Sequence, residues 1–470
     1  MSTEITSEEL TQHIQTKIPL LILDTRDQES YMDGHIEGSA NAKCTNMQEK
    51  QIIMSKIPPS FKIVLVDDDG SEASKNAQMM ASFGFDAHHL KDGIKSWNDN
   101  LVKSTQKPTI TNQNLWESIK TNDKDVFLLD VREPQEFSEF KIPGAVNIPL
   151  SELFAQNSEQ QIPKNKKIVT ICSHGNRSMV ATFALAQKGM DATSLEGGMS
   201  RWNQVLNHTK LVKEDNDGLD IIQIEKVGKG CLSHIINSKG EAIVIDPTHP
   251  TSKYIDIAKN EGFKISKVID THQHADHVSA AKDLAKLADA ELYFSAKEEY
   301  NTPSKKIDDG DIIQIGDKQI KVIHTPGHTA GSMTLIVDDK FAFCGDILFI
   351  DEVGRPDLRD NVEKFASNLH NTLHNKILQF SSNVKIFPSH HNEQTKPTKN
   401  GIFYTTIDIA KKLPMLNLDK DEFVKRISKI ITPKPMNYSL IIRVNKGQIP
   451  IMSEQIPDLE MGPNRCSVKI

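Results

Sequence analysis

Residues 271 to 277 read THQHADH, which places His272, His274, Asp276 and His277 in one short stretch. A lone histidine is most often a satisfied core or surface residue, but four ligand-type side chains at this density point to a bound metal. His272 and His274 alternate after the strand-like run KVID, so an extended backbone would turn both to one side. Asp276 and His277 are expected to open the helix that follows in HVSAAKDLAKLADA. Three further candidates come later at expected strand ends: His328 in HTPGHTAGS, Asp346 in FCGD and His390 in FPSHH.

A second chemistry-bearing stretch is CSHGNRS, from Cys172 to Ser178, between a strand-like run and a helical one. A cysteine beneath the N-terminal N–H groups of a helix is placed where a thiolate is stabilised. Arg177 adds positive charge, and Gly175 lets the backbone curl into an anion-binding nest. An isolated cysteine is usually a buried structural residue; the polar, glycine-bearing loop favours a nucleophile that handles an anionic group instead.

The elements that must position these groups fall into a repeat and a different third part. LLILDTRDQESYMDGHIEGSANA, from Leu20 to Ala42, recurs as FLLDVREPQEFSEFKIPGAVNI, from Phe127 to Ile148. Asp24, Arg26, Gly38 and Asn41 match Asp130, Arg132, Gly144 and Asn147, and LKDGIKSWN matches LEGGMSRWN. A period of roughly 105 residues means a duplicated domain, not a solenoid. Short apolar runs such as LLILD and KIVLV suit buried parallel strands, and their alternation with helical patterns predicts a small α/β domain in each copy. TQKP (105–108) and KEDNDG (213–218) read as linkers. The expected domains are 1–104, 108–210 and 218–470. In the last, GCLSHIINSKGEAIVIDP reads as a hairpin turning at Ser238-Lys239-Gly240. Two helical stretches and a strand-like YSLIIRV close the chain, with core-forming helices preferred there over a lid.

Composition bounds the partners. The 470 residues are 37% hydrophobic and 25% charged, with a net charge of −7 and both signs interspersed, so nucleic acid is an unsuitable ligand. No apolar run approaches a membrane span, and MSTEITSEEL is too acidic for a secretory or mitochondrial leader. Cys44, Cys172, Cys231, Cys344 and Cys466 are scattered without a CxxC, as expected of thiols kept reduced in a cytoplasm. A homo-oligomer is compatible with all of this.

The DxR pairs, KIPGAVN, the CSHGNRS loop and the closing GGMSRW together resemble the rhodanese family. The resemblance implies that Cys172, aided by Arg177, accepts a sulfane sulfur and carries it as a persulfide, with thiosulfate or sulfite as partners. The related phosphatase loop is one residue longer, which disfavours dephosphorylation. The first copy departs from the family: Asp67 stands where Cys172 stands in the second, within VDDDGSEAS, and cannot carry sulfur. Its charge would repel an anion, so a structural role is expected for this copy. Cys44 does not align with Cys172 and is expected to be inert.

The HxHxDH motif followed in order by His328, Asp346 and His390 resembles the metallo-β-lactamase superfamily, over roughly residues 220–392. That implies a four-layer αββα sandwich with the site at one edge of its sheets. The expected fold class is therefore α/β: two rhodanese-like domains followed by a metallo-β-lactamase sandwich. Two kinds of enzyme in the superfamily are closest. In persulfide dioxygenases the residues matching His272, His328 and Asp346 hold one Fe(II) per chain, a two-histidine, one-carboxylate set with open positions. His274, Asp276, His277 and His390 would then orient those ligands from behind. In glyoxalase II all seven hold two metals, here two Zn, that cleave a thioester. GDILFIDEVGRPDL resembles the dioxygenases, with Arg355 as the expected grip on an anionic substrate and a structural pair with Asp357 as the alternative. A persulfide-carrying cysteine in the same chain favours the same side, because tethering raises effective concentration. The expected reaction oxidises a thiol persulfide with O2 to sulfite.

Overall fold

The computed structural model describes residues 4–15, 20–41, 57, 61–103, 108–153, 161–211, 218–358, 361–430 and 433–468. Cys44 and most of both linker stretches lie outside them. The chain divides into two compact units, Met1–Trp202 and Asn203–Ile470.

The first unit holds both copies of the repeat. One five-stranded sheet runs in the order Glu4–Ile5, Asp86–Leu90, Lys62–Val66, Leu20–Asp24, Ala40–Asn41. The other runs Thr109–Ile110, Ala192–Leu195, Lys167–Ile171, Val126–Asp130, Val146–Asn147, the same order of equivalent strands. All pairings are parallel. Leu20–Asp24 is buried at every position, because a parallel strand covered on both faces needs an unbroken apolar run. The repeated DxR is structural in both copies. Arg26 donates from Nη2 to Asp24 (2.6 Å) and to the Gly34 carbonyl (2.7 Å); Arg132 does the same with Asp130 (2.7 Å) and Phe140 (2.6 Å). Burial of such a pair is offset in part by the added bond to a backbone carbonyl. Asn41 and Asn147 each tie the carbonyls on either side of this turn. The two copies share one core, in which Leu21, Ile63 and Tyr31 join Leu129, Ile168 and Phe183.

The second unit is built on two sheets. A seven-stranded sheet follows chain order from Leu206–Lys210 to Lys305–Ile307. A six-stranded sheet runs Ile312–Ile315, Lys318–His324, Met333–Val337, Phe341–Gly345, Lys385–Pro388, Thr405–Thr406. Ile221, Ile236 and Ile243 of one face Ile320, Val322 and Phe343 of the other across the central core. Helices Ser252–Glu261 and Ala281–Ala288 cover the first sheet through Tyr254, Ile257 and Leu284. Helices Val362–Asn375 and Lys420–Lys429 cover the second through Leu369, Leu373, Phe423 and Ile427. The result is the αββα sandwich. The hairpin turns at Lys239 and Gly240, with φ of 51° and 82°, the left-handed pair that a two-residue connection needs.

Three local expectations are corrected. YSLIIRV is not a strand but the helix Tyr438–Asn445, with Ile441 and Ile442 buried on adjacent positions; a short apolar run does not by itself distinguish strand from helix. Asp276 and His277 do not open a helix, which starts only at Ala281; residues 271–280 contain no helix turn. Of the two closing stretches expected to be helical, GIFYTTIDIAKKLPML is only partly so: it supplies the edge strand Thr405–Thr406, the short helix Ile407–Ala410 and a 3-10 turn at Pro414–Asn417. Ile407, Ala410, Met415 and Leu416 there join the core under the second sheet.

Candidate metal centre

His272 and His274 follow the strand Lys264–Ile269, His328 follows Lys318–His324, Asp346 follows Phe341–Gly345 and His390 follows Lys385–Pro388. Strand ends of both sheets thus converge, and all seven metal candidates are buried. Close approach is enforced at Gly345, whose φ is +56°. A Cβ there would lie 2.5 Å from Thr271 Oγ1 and 3.1 Å from His272 Nδ1.

Each ligand of the expected iron set is held by its far atom. His272 Nδ1 donates to Thr271 Oγ1 (3.0 Å), which itself donates to Asp246 Oδ2 (2.7 Å). His328 Nδ1 donates to the Arg355 carbonyl (2.8 Å). Asp346 Oδ1 accepts from His390 Nδ1 (2.7 Å). These bonds aim the two Nε2 atoms and Asp346 Oδ2 at one another, at 3.5 Å and 3.6 Å from that oxygen. His272 Nε2 and Asp346 Oδ2 are fully enclosed yet make no hydrogen bond. Orphaned polar atoms are costly in a protein interior, and three converging lone-pair donors within 4.8 Å fit a divalent cation.

The remaining four residues are turned toward one another. His390 Nε2 donates to Asp276 Oδ2 (3.0 Å), so its ring lies between two carboxylates. Burial alone would lower its pKa; Asp346 and Asp276 outweigh burial and raise it well above the ordinary 6.5. His277 Nδ1 contacts Asp276 Oδ1 (3.1 Å), and burial lowers its pKa to about 4. His274 faces Asp246 (3.3 Å), which overcomes burial and lifts its pKa to about 9. Cys231 Sγ lies 3.5 Å from Asp276 Oδ2. With His277 and His390 these form a second cluster of ligand atoms within 4.8 Å, and Cys466 joins Asp346 and His390 in another. The sequence reading missed Thr271, Asp246 and the closeness of Cys231 and Cys466. Cys466 lies in no local pattern that could have placed it there.

Arg355 is not placed as a grip. Its side chain is buried, and its guanidinium binds both oxygens of Asp357 (2.7 Å each) and the carbonyls of Pro433 (2.9 Å) and Arg465 (2.8 Å). Its contribution to the site is the carbonyl that orients His328.

In the first unit, Cys172 sits between the strand Lys167–Ile171 and the helix Asn176–Gln187, with Gly175 at φ 99° before the helix. Gly175 N donates to its Sγ at 3.1 Å. Arg177 does not point at an incoming anion: it forms a two-pronged pair with Glu136 (2.8 Å each) and contacts Ser173 (3.0 Å). Burial would raise the pKa of Glu136, but Arg177 and Ser173 overcome it and hold it near 2 against an ordinary 4.5. A depressed carboxyl stabilises the fold fully above its unfolded value and loses that contribution as pH falls through the folded one. The Glu136–Arg177 pair is therefore expected to persist below pH 4 and to open only toward about pH 2; a carboxyl NMR titration of Glu136 centred near 4.5 would contradict this. In the first copy Asp67 fills the equivalent nest with its own carboxylate, accepting from Gly70 N (2.5 Å), Glu72 N (2.9 Å) and Ala73 N (3.0 Å). The loop's donors are occupied from within.

Residues 228–390 match the metallo-beta-lactamase superfamily, and residues 6–100 and 111–205 each match the rhodanese-like domain. The chain belongs to the metallo-beta-lactamase superfamily and carries two rhodanese-like domains ahead of that fold. Over 208 residues it is 30% identical to the mitochondrial persulfide dioxygenase ETHE1 of Bos taurus, covering 44% of this chain and 78% of that one. It is also 30% identical over 162 residues to the hydroxyacylglutathione hydrolase of Francisella philomiragia, covering 33% and 61%. The crystal structure of ETHE1 from Myxococcus xanthus is 22% identical and superimposes with a TM-score of 0.44, covering 48% and 96%. Among the described residues no helix is long and apolar enough to cross a membrane.

Proposed function

We propose that this chain is a persulfide dioxygenase coupled to a rhodanese sulfurtransferase. A thiol persulfide, dioxygen and water would become the free thiol, sulfite and two protons. One observation carries the choice: His272, His328 and Asp346 direct ligand atoms into a common space, while the His390 ring is engaged between Asp276 and Asp346. A ferrous ion held by the first three would supply dioxygen activation beside the substrate sulfur. Thr271 and the Arg355 carbonyl fix which ring nitrogen of each histidine faces the metal. His390 holds Asp346 in place from behind. Cys172, a free thiol, would accept the outer sulfur of thiosulfate with release of sulfite, and as the persulfide would return it to sulfite, chemistry that suits a reducing cytoplasm.

A second reading is favoured by the convergence of Cys231, Asp276, His277 and His390 and by the likeness to hydroxyacylglutathione hydrolase: a dinuclear zinc thioester hydrolase. Metal analysis of protein purified without oxygen, with activity measured on the same sample, separates the two. Iron near one per chain with no thioester cleavage is expected. Two zinc ions per chain with thioester cleavage that ignores oxygen would replace the dioxygenase with the hydrolase.

A further inference from the structure

The backbone of the ligand-bearing loop depends on a part of the chain beyond the superfamily match, which ends at residue 390. Residues 271–280 contain no helix turn, so their polar groups need partners from elsewhere. Two side chains from residues 433–468 provide them. Asn445 Nδ2 donates to the carbonyls of His274 (3.0 Å) and His277 (2.9 Å), while its Oδ1 accepts from Ser279 N (2.9 Å). One amide thus serves three backbone groups of the loop. Glu460 Oε1 accepts from Val278 N (2.8 Å), and its other oxygen pairs with the fully buried Lys226.

Apolar contacts repeat the pattern. Ile441 packs with Val278, Ile456 and Leu459, and Ile442 packs with Ala275 and Leu358. Both isoleucines lie on the helix that ends in Asn445. The same segment reaches the opposite wall of the site: the carbonyls of Pro433 and Arg465 bind the Arg355 guanidinium, and Arg355 N donates to the Cys466 carbonyl (3.1 Å). Arg355 in turn orients His328.

We infer that the C-terminal segment 433–468 is a clamp on the metal-bearing loop, in which Asn445 and Glu460 are positioning residues that set the placement of the ligands. The inference rests on the metal-centre reading. Its bonds land on the carbonyls of His274 and His277, in the same loop as the ligand His272, and ligand geometry has to be held to within a fraction of an ångström.

Asn445→Asp tests it, because the acid keeps the size and the Ser279 contact but cannot donate to the two carbonyls. Asn445→Ala removes all three bonds without adding charge, and Arg443→Ala, exposed on the same helix, is the control. Full-length proteins are titrated with Co(II) and with Fe(II) against a competing chelator, and the Co(II) absorption spectrum is recorded. Both Asn445 variants are expected to bind about ten- to a hundredfold more weakly, the range typical of partners behind a ligand, with a shifted Co(II) spectrum. Arg443→Ala and Cys172 sulfur transfer should match the parent. A folded Asn445 variant with unchanged affinity and spectrum overturns the clamp. Loss of fold in both variants overturns it too, since the segment would then be core and not a positioning device. A parent protein that takes up neither metal would instead overturn the metal-centre reading.

Discussion

His328→Ala is expected to lose both iron binding and oxygen uptake on a persulfide, each by more than about a hundredfold, since even partners behind a metal ligand cost ten- to a hundredfold. His328 Nδ1 bonds to the Arg355 carbonyl, and its Nε2 faces Asp346 Oδ2 at 3.6 Å. Alanine removes one of only three donors in the set, and His274, His277 and His390 are turned toward Asp246 or Asp276 instead. Cavity formation at a buried position costs some stability as well, so circular dichroism and Cys172 sulfur transfer on the same sample serve as fold controls. A variant with parent-level turnover would mean that the chain is a sulfur carrier or scaffold and that this site is not catalytic.

Cys172→Ser is expected to abolish sulfur transfer from thiosulfate while oxygen consumption on free persulfide continues at the parent rate. Under the proposed function, the Cys172 thiolate of the parent would attack the outer sulfur of thiosulfate, forming a new S–S bond as the old one breaks and sulfite leaves. A serine hydroxyl cannot form or hold that bond. The exchange is nearly isosteric, and Gly175 N can still donate to the new oxygen, so the loop should persist. Cys172 belongs to the unit Met1–Trp202 and the metal cluster to Asn203–Ile470. Loss of both activities in a folded variant would mean that the two chemistries are not separable.

What the sequence made legible were features carried by residue type, order and period. The duplication followed from DxR, glycine and asparagine at matching offsets, and the structure explains those residues as one buried turn used twice. The metal cluster was visible because seven ligand-type residues fall in the loops that follow strands, four of them in one short run, and strand ends on facing sheets meet. The pair of Arg355 with Asp357 was legible as the alternative to a substrate grip, but its bonds to Pro433 and Arg465 were not, because those partners lie 78 and 110 residues away. Nor was the work of Asn445 and Glu460, ordinary polar residues whose meaning comes from where the helix Tyr438–Asn445 lands. Asp67 shows a subtler gap. Its charge was read as repelling an anion, whereas its carboxylate takes the anion's place in the loop.

The most direct measurement is oxygen uptake by protein reloaded with Fe(II) under argon and then mixed with glutathione persulfide, with sulfite assayed in the same vessel. Oxygen consumed in equal amount to the sulfite formed is the predicted result. A flat oxygen trace from iron-loaded protein, across glutathione and other thiol persulfides alike, would contradict the account.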